Sequence, residues 1–298
     1  MSKKIVVVTG ATGKQGGSVV SALLRHGGYT VRGLMRNLHS ALSRELTAQG
    51  AEMVQASLME KDSLIHAFKG AYAVFGVTVP AEESDFEQGK NMVDACLANK
   101  VDLFVWSSLP SSSELSNGKY PMRFWDDKYA VDKYIKAVGQ PSVIFMPGSF
   151  TENLISFGQL KPVASDTWEI QYPVATADYV QPFLYVEKDL GEAVTALIDH
   201  WDDADWKERL TKDVIQMSSY NITGGEMAGI IARITGRDVS YVLSNNVPDF
   251  YKTMWEFCVE YWPTPEAIPS KVLLDLGIKF HTFEDYVREK LVPFMNAA

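Results

Sequence analysis

Short apolar runs alternate with longer amphipathic stretches through the first half of the chain. The run Ile5–Val8 ends at Thr9-Gly10, and the next stretch repeats apolar residues at helical spacing until Gly27-Gly28 ends it. This alternation predicts strands at Ile5–Val8, Thr30–Met35, Glu52–Gln55, Tyr72–Val77, Leu103–Ser107 and Ser142–Met146. It predicts helices at Lys14–His26, Leu38–Gln49, Lys61–Phe68, Asp85–Asn99 and Met122–Val138. Because the strand runs are almost wholly apolar, we expect a buried parallel sheet with right-handed crossovers.

The second half of the chain is less regular. Residues 157–182 contain three prolines and no clear period, and the acidic segment Asp199–Glu208 is expected to form a surface turn. Periodicity returns with predicted strands at Val214–Ser218 and Val239–Leu243, and with predicted helices at Val186–His200, Gly225–Thr235, Asp249–Tyr261 and Phe283–Leu291. We therefore expect this half to cover the carboxyl edge of the sheet.

Charge is distributed unevenly along the 298 residues. The chain has 28 basic and 37 acidic residues, a net charge of −9, yet residues 1–44 carry seven basic residues and no acidic one. The rest of the chain therefore carries −16, which argues against direct nucleic-acid binding through the general surface. The basic N-terminal segment could hold a small anion in one place. Apolar residues make up 46% of the chain, which excludes intrinsic disorder.

The two cysteines give no sign of a metal or redox site. Cys96 and Cys258 lie far apart in the sequence and in no ligand-like spacing, so we expect no metal. Cys96 falls on the apolar face of a predicted helix and is expected in the core. No apolar stretch approaches the roughly 18 residues of a membrane span. We expect an intracellular protein that does not bind membranes, in the cytoplasm and, as a second location, the nucleus.

A glycine-rich turn follows the first predicted strand and opens the first helix. Glycines every third residue let a tight turn bring the backbone close to a pyrophosphate, and the helix N-terminus offers free N–H groups to it. The β-α-β context that this motif requires is present. The alternative is a glycine-rich turn without a ligand. We predict a dinucleotide phosphate site made by Gly10, Thr12, Gly13, Lys14, Gln15 and Gly16.

Arg36 stands at the end of the second predicted strand, 20 residues after Gly16. Sites that prefer NAD usually carry an acid here, which binds the ribose hydroxyls and repels a 2′-phosphate. An arginine can instead bind that phosphate through two hydrogen bonds. The position therefore favours NADP(H) over NAD(H), with an ordinary exposed loop arginine as the alternative.

The predicted helix Met122–Val138 offers two lysines for the catalytic position. Short-chain dehydrogenases use a Tyr and a Lys four residues apart, in which the lysine lowers the tyrosine pKa for proton transfer. Tyr129 and Lys133 have this spacing, whereas Lys128 has Phe124 four residues before it. A shift of five residues turns the helix by roughly 140°, so only one lysine can face the cofactor.

Several segments together resemble the NmrA-like family of atypical short-chain dehydrogenase relatives. They are the glycine turn at residues 10–17, Met35-Arg36-Asn37, Phe124–Lys128, Met146–Leu154, Val186–Gly191 and Thr282–Tyr286. The resemblance covers residues 4–292. It implies an α/β fold with a Rossmann-type doubly wound parallel sheet at 1–150, which binds NAD(P). It also implies a smaller C-terminal α/β lobe at 151–298, which covers the cofactor cleft and returns part of its chain to the sheet.

The resemblance also implies which residues form the site. Lys128 is the retained lysine, and Phe124 stands where the catalytic tyrosine would be, so Tyr129 and Lys133 are not the pair. Ser57 replaces an acid that often contacts the adenine. The same matching places further cofactor contacts at Asn37, Thr78, Phe150 and Asn153.

Two functions are open from these residues. Some family members are redox-sensing regulators that bind protein partners such as transcription factors, and the missing tyrosine favours this role with bound NADP(H) or NAD(H). The alternative is an NADPH-dependent reductase of a small quinone or enone-type substrate, assisted by Lys128. The sequence does not determine the oligomeric state of the protein. Four aromatic residues could cover such a flat substrate or simply form the core of the lobe: Trp255, Phe257, Tyr261 and Trp262.

Overall fold

Strands and helices alternate along the first half of the molecule. The computed structural model describes residues 2–79, 84–244, 246–262 and 267–297. Its strands are β1 (Ile5–Val8), β2 (Thr30–Met35), β3 (Glu52–Gln55), β4 (Ala71–Gly76), β5 (Leu103–Ser107), β6 (Ser142–Pro147), β7 (Ser149–Phe150), β8 (Leu160–Pro162), β9 (Thr167–Tyr172), β10 (Val180–Leu184), β11 (Ile215–Met217), β12 (Tyr220–Thr223) and β13 (Asp238–Leu243).

The helices complete the architecture. They are α1 (Lys14–His26), α2 (Ala41–Ala48), α3 (Lys61–Ala67), α4 (Asp85–Asn99), α5 (Ser112–Leu115), α6 (Arg123–Val138), α7 (Asn153–Ser156), α8 (Gly191–Asp199), α9 (Ala204–Lys212), α10 (Gly224–Thr235), α11 (Asp249–Tyr261), α12 (Lys271–Asp275), α13 (Phe283–Tyr286) and α14 (Val292–Ala297). Two π-helical turns, Val186–Leu190 and Val287–Leu291, lead directly into α8 and α14.

The central sheet has the Rossmann-type doubly wound topology that the sequence predicts. Among the described residues it contains seven strands in the order β3-β2-β1-β4-β5-β6-β11, and all neighbours are parallel. The strand order reverses between β1 and β4, which leaves a crevice at their carboxyl ends where ligands bind in such folds. The late strand β11 joins the edge beside β6, so part of the second half of the chain belongs to this sheet.

Helices bury both faces of the central sheet. On one face α1 and α8 pack against the strands, with Leu23 and Leu197 fully buried. On the other face α4 and α6 pack, with Met92 and Val131 fully buried. Cys96 lies in this second core, as its place on an apolar helix face predicts. The two apolar layers explain why the strand sequences are almost continuously apolar.

A tight contact joins α1 to the start of α8. The Ser18 hydroxyl donates a hydrogen bond to the Val186 carbonyl and accepts one from the Gly191 N–H, over 2.6 and 3.0 Å. A Cβ atom at Gly191 would lie 2.2 Å from the Ser18 carbonyl oxygen, so only glycine fits there. The sequence predicts a single helix at Val186–His200. The structure shows a π-helical turn there, followed by α8.

The remaining strands of the second half, together with β7, form a smaller lobe. Its strands make two three-stranded sheets in the described residues, in the orders β12-β10-β7 and β13-β9-β8. Helices α10, α11 and α13 pack on them around a largely aromatic core that includes Trp168, Tyr172, Trp255 and Tyr286.

Two further expectations differ from the structure. The segment expected as a surface turn, Asp199–Glu208, contains the start of α9, whose N-cap residue Asp203 accepts a hydrogen bond from the Trp206 N–H over 3.0 Å. The predicted helix Phe283–Leu291 is α13 followed by a π-helical turn. Within the described ranges, no helix combines the length and the apolar character needed to cross a bilayer.

Candidate functional site

The glycine turn connects β1 to α1 at the crevice of the sheet. Gly10 has a φ of +57°, in the left-handed region that favours glycine. The Gly13 N–H donates to the Gly10 carbonyl over 2.8 Å and closes the turn. A Cβ atom at Gly16 would lie 2.2 Å from the Gly10 carbonyl oxygen, so this glycine lets the helix approach the turn. The first turn of α1 has no acidic residue and no side-chain cap, which leaves its N–H groups available to an anion.

Thr9 fixes the crevice just below this turn. Its hydroxyl donates to the Val77 carbonyl over 3.0 Å and accepts from the Val77 N–H over 2.8 Å. These two bonds join the carboxyl ends of β1 and β4, where the strand order reverses. The residue directly before the glycine turn, Thr9, is therefore fully buried and holds the turn in place.

Two side chains of the turn reach across the crevice. The Lys14 ammonium donates to the Ser156 hydroxyl at the end of α7 over 2.8 Å, which links the turn to the lobe. The Gln15 amide oxygen accepts a hydrogen bond from the Ser107 hydroxyl at the end of β5 over 2.8 Å. Thr12, in contrast, is exposed at the tip of the turn.

Arg36 and Asn37 lie at the other end of the crevice, directly after β2. Arg36 is exposed and makes no hydrogen bond or ion pair with any described residue. The Asn37 side chain accepts a hydrogen bond from the His39 N–H over 2.9 Å and holds the loop in a turn. Ser57, after β3, accepts one from the Met59 N–H over 3.3 Å, so its hydroxyl serves the local turn.

Lys128 lies in the cleft, on the side of α6 that faces β4. Its ammonium donates a hydrogen bond to the Thr78 hydroxyl over 2.6 Å and lies 3.9 Å from the Asp85 carboxylate. It also lies over the Trp106 ring, 5.2 Å from the centroid. Only 13% of the side chain is exposed, and this burial lowers the pKa of Lys128 to about 8.

The other lysine register points into solvent. Lys133 forms an exposed ion pair with Glu114 over 2.8 Å and lies over the Tyr129 ring, 5.0 Å from its centroid. The hydrogen bond to Glu114 raises the pKa of Lys133. Phe124 lies in the first turn of the same helix, four residues before Lys128, and is 36% exposed. The residue four positions before Lys128 therefore has no hydroxyl group.

Phe150 and Asn153 lie where the chain passes from the central sheet to the lobe. Phe150 ends β7 and is packed against the core of the central sheet. Asn153 begins α7, and its side-chain oxygen is buried without a hydrogen-bond partner. A buried amide oxygen without a partner carries a desolvation cost that a ligand donor would remove. The uncapped N-terminus of α1 and the unpartnered Asn153 oxygen could each bind part of a dinucleotide.

The four aromatic residues of α11 and its end pack against protein. Trp255 lies in the aromatic core of the lobe. Phe257 is fully buried 5.0 Å from the ring of Trp125, and Tyr261 stacks on Phe257 at 6.0 Å. The Trp262 ring also packs against Trp125, with 5.2 Å between the ring centroids. They therefore join the lobe to the start of α6 as packing residues.

The structure also reveals site residues that sequence reasoning missed. Asp85 on α4 and Trp106 on β5 lie beside the Lys128 ammonium, and Asp132 on α6 accepts a hydrogen bond from Trp106. Asp132 follows Lys128 by four residues, so helical spacing alone places both on the same side of α6.

The known proteins that resemble this chain in sequence, and those that resemble it in structure, include proteins described by the same family name. The chain is 28% identical over 248 residues to the NmrA-like family domain-containing oxidoreductase lnaB of Aspergillus flavus, which covers 76% of this chain and 73% of that protein. It superposes with a TM-score of 0.83 on the crystal structure of NmrA, a negative transcriptional regulator, at 23% identity over 99% of this chain and 98% of that one. A second NmrA structure, in complex with NADP, superposes with a TM-score of 0.80 at 23% identity, over 100% and 98% of the two chains.

The family profile matches far more than the glycine turn, which many dinucleotide-binding proteins share. It extends over residues 2–293, through both the central sheet and the lobe. The chain therefore belongs to the NmrA-like family.

Proposed function

We propose that this protein binds NADP(H) and acts as a redox-sensing regulator through a protein partner. The observation that carries this proposal is Phe124, which lies one helical turn before the cleft lysine Lys128. A phenyl ring cannot donate a proton, so the site has a cofactor cleft and a lysine without the proton donor of carbonyl reduction.

Three features support NADP(H) as the ligand. The N-terminus of α1 offers N–H groups to a pyrophosphate, Arg36 is free to bind a 2′-phosphate, and the buried Asn153 oxygen can accept a hydrogen bond from the nicotinamide end. The structural neighbour NmrA was solved with NADP and with NAD. NAD(H) is therefore the weaker alternative ligand, because no acid follows β2 to bind its ribose hydroxyls.

A redox sensor must distinguish the two oxidation states of its ligand. A ligand shifts an equilibrium between two conformations or complexes only if it binds the two states with different affinities. Calorimetric titration of the purified protein with NADP⁺ and with NADPH tests this requirement. We expect the two ligands to differ several-fold in dissociation constant or clearly in binding enthalpy, whereas identical affinity and identical enthalpy would contradict a sensing role.

The partner and the location follow from the same proposal. The chain outside residues 1–44 carries −16, which suits a protein partner with a basic surface, such as a transcription factor, and disfavours direct contact with nucleic acid. Such a regulator would act in the cytoplasm or the nucleus. A complex of this kind should weaken as ionic strength rises.

An NADPH-dependent reductase is the second candidate, and the environment of Lys128 favours it. With a pKa of about 8 and a hydrogen bond to Thr78, this lysine can both hold a ligand hydroxyl and exchange a proton near neutral pH. Bound NADPH would supply a hydride, and acceptors of the quinone or enone type need little further proton chemistry. The similar lnaB protein is named an oxidoreductase.

One assay separates the two candidates. The purified protein is mixed with NADPH and a panel of quinones and enones, and nicotinamide absorbance is followed. Turnover that Lys128→Ala abolishes and Lys133→Ala preserves would establish the reductase and refute a purely regulatory role. Binding of NADPH without turnover of any acceptor supports the regulator.

A further inference from the structure

Asp132 is a buried carboxylate that neither candidate function uses directly. It lies on α6, one turn after Lys128, and is 3% exposed. Its Oδ1 atom accepts two hydrogen bonds, from the Trp106 indole N–H over 2.9 Å and from the Ser108 hydroxyl over 2.7 Å. Its Oδ2 atom is buried and has no partner among the described residues. Burial of such a group costs free energy that its surroundings must offset.

The Trp106 ring connects this carboxylate to the cleft. Its N–H is bound to Asp132, its ring stacks on Phe104 with centroids 5.8 Å apart, and the Lys128 ammonium lies over it. The approach of Phe104 and Trp106 to β4 is so close that a Cβ atom at Gly76 would lie 2.4 Å from the Phe104 ring. Trp106 is therefore a fixed aromatic platform beneath the cleft lysine.

We propose that Asp132 is a positioning residue for Lys128: it holds the Trp106 ring on which the ammonium lies, and its negative charge stabilises that ammonium. The inference rests on the proposed function, because Lys128 serves a ligand only if the cleft binds NADP(H). Its geometry, however, is a property of the protein alone and can be tested without any ligand.

The charges around the pair determine the sign of the effect. Lys136 and Lys128, on the same helix, face Asp132, while Asp85 on α4 faces Lys128 and β5 contributes only uncharged hydrogen-bond donors. Burial raises the pKa of Asp132 to about 7, so it changes charge near neutral pH. Protonation of Asp132 removes a stabilising negative charge and should lower the pKa of Lys128. The two groups therefore titrate as a coupled pair.

A merely structural role for Asp132 would give a different result. The carboxylate could simply fasten α6 to β5 through Trp106 and Ser108. Asp132→Asn separates these roles, because the amide oxygen can keep both hydrogen bonds while the charge is lost. Asp132→Ala removes both the charge and the hydrogen bonds, and serves as the structural comparison.

The test uses two probes on the ligand-free protein. The first probe is the indole N–H signal of Trp106, which is assigned with the variant Trp106→Phe and followed by NMR as the pH is changed. The second probe is the rate at which each lysine reacts with an amine-selective reagent, measured by mass spectrometry over the same pH range. In the wild type we expect the Trp106 signal to titrate near pH 7. In Asp132→Asn that titration disappears, and the inflection of Lys128 moves to lower pH while the internal control Lys133 is unchanged.

An unchanged Lys128 profile in Asp132→Asn would overturn the proposal, and so would a wild-type Trp106 signal that does not titrate between pH 5 and 9. The wild-type measurement stands even if the variants fail to fold. NADPH affinity, measured in parallel, should fall several-fold in Asp132→Asn. Absence of NADPH binding to the wild type would refute the proposed function and leave the ligand-free result intact.

Discussion

The Lys128 ammonium and the Thr78 hydroxyl are joined by a 2.6 Å hydrogen bond across the cleft, between α6 and the segment that follows β4. This bond requires one particular register of α6 toward the sheet. Lys133, five residues later, consequently points to solvent and pairs with Glu114. The cleft therefore contains a buried lysine whose helical neighbour one turn earlier is a phenylalanine.

Burial of Lys128 should make stability depend on pH. A lysine pKa lowered from 10.5 to about 8 means that the fold favours the neutral amine, at a cost of about 3 kcal/mol when the amine is charged. This cost is complete below pH 8 and disappears as the pH rises to 10.5. Lys128→Met should therefore be more stable than the wild type at pH 7 by about 2 kcal/mol, after the lost hydrogen bond to Thr78 is subtracted.

Urea unfolding at pH 7 and pH 10 checks this prediction, with Lys133→Met as the control. The raised pKa of Lys133 predicts the opposite sign, a small loss of stability at pH 7. A Lys128→Met protein that is less stable than the wild type at pH 7 would show that the buried ammonium is not a net cost.

The glycine turn can be tested with two adjacent glycines. A Cβ atom at Gly16 would overlap the Gly10 carbonyl, whereas one at Gly17 would lie at an ordinary 3.6 Å from the Ala11 carbonyl. We expect Gly16→Ala to lose NADPH binding and to be destabilised by about 2 kcal/mol or more. Gly17→Ala should keep binding, with stability equal or higher by up to about 1 kcal/mol, because alanine favours the helix. Equal behaviour of the two variants in calorimetry would argue against this geometry.

Arg36 should set the preference for the 2′-phosphate. Removal of a charged hydrogen bond to that phosphate costs about 1.5–3 kcal/mol, so Arg36→Gln should weaken NADPH about 10- to 100-fold and leave NADH almost unchanged. Arg25→Gln removes the same charge from an exposed ion pair with Glu192 and is the matched control. If both variants weaken NADPH equally, the effect is one of net charge and not of a contact.

Asn153 should matter to the ligand more than to the fold. Its buried side-chain oxygen lacks a partner in the ligand-free protein, so Asn153→Ala should not lower thermal stability. The same variant should bind NADPH several-fold more weakly, because the ligand loses an acceptor. Thermal unfolding with and without NADPH measures both effects, and a large loss of stability without ligand would assign Asn153 a structural role.

The sequence predicts the central sheet well because its inner strands β1, β4 and β5 are almost wholly buried. The predicted bounds of β1, β2, β3 and β5 match those of the structure. The strands of the lobe are harder to predict from the sequence, because they are short and partly exposed. Strand β9 alternates perfectly, with Trp168, Ile170 and Tyr172 buried, but prolines nearby conceal that pattern. Helix α9 contains only two apolar residues on its core side, Trp206 and Leu210, so it is weakly marked in the sequence.

The site divides in the same way. The glycine turn can be read from residues because its function depends on backbone geometry that few residues allow. The surroundings of Lys128 cannot, because Asp85 and Trp106 meet it only after α4 and β5 have packed against α6. Helical spacing could have pointed to Asp132, but its burial and its bond to Trp106 depend on tertiary structure.

We propose above all that the cleft between β1 and β4 binds NADP(H) in preference to NAD(H). The most direct measurement is calorimetric titration of the wild-type protein with NADPH and NADH under identical conditions. We predict one NADPH bound per chain, at least about tenfold more tightly than NADH. Equal affinity for the two dinucleotides, or binding of neither, would contradict the account.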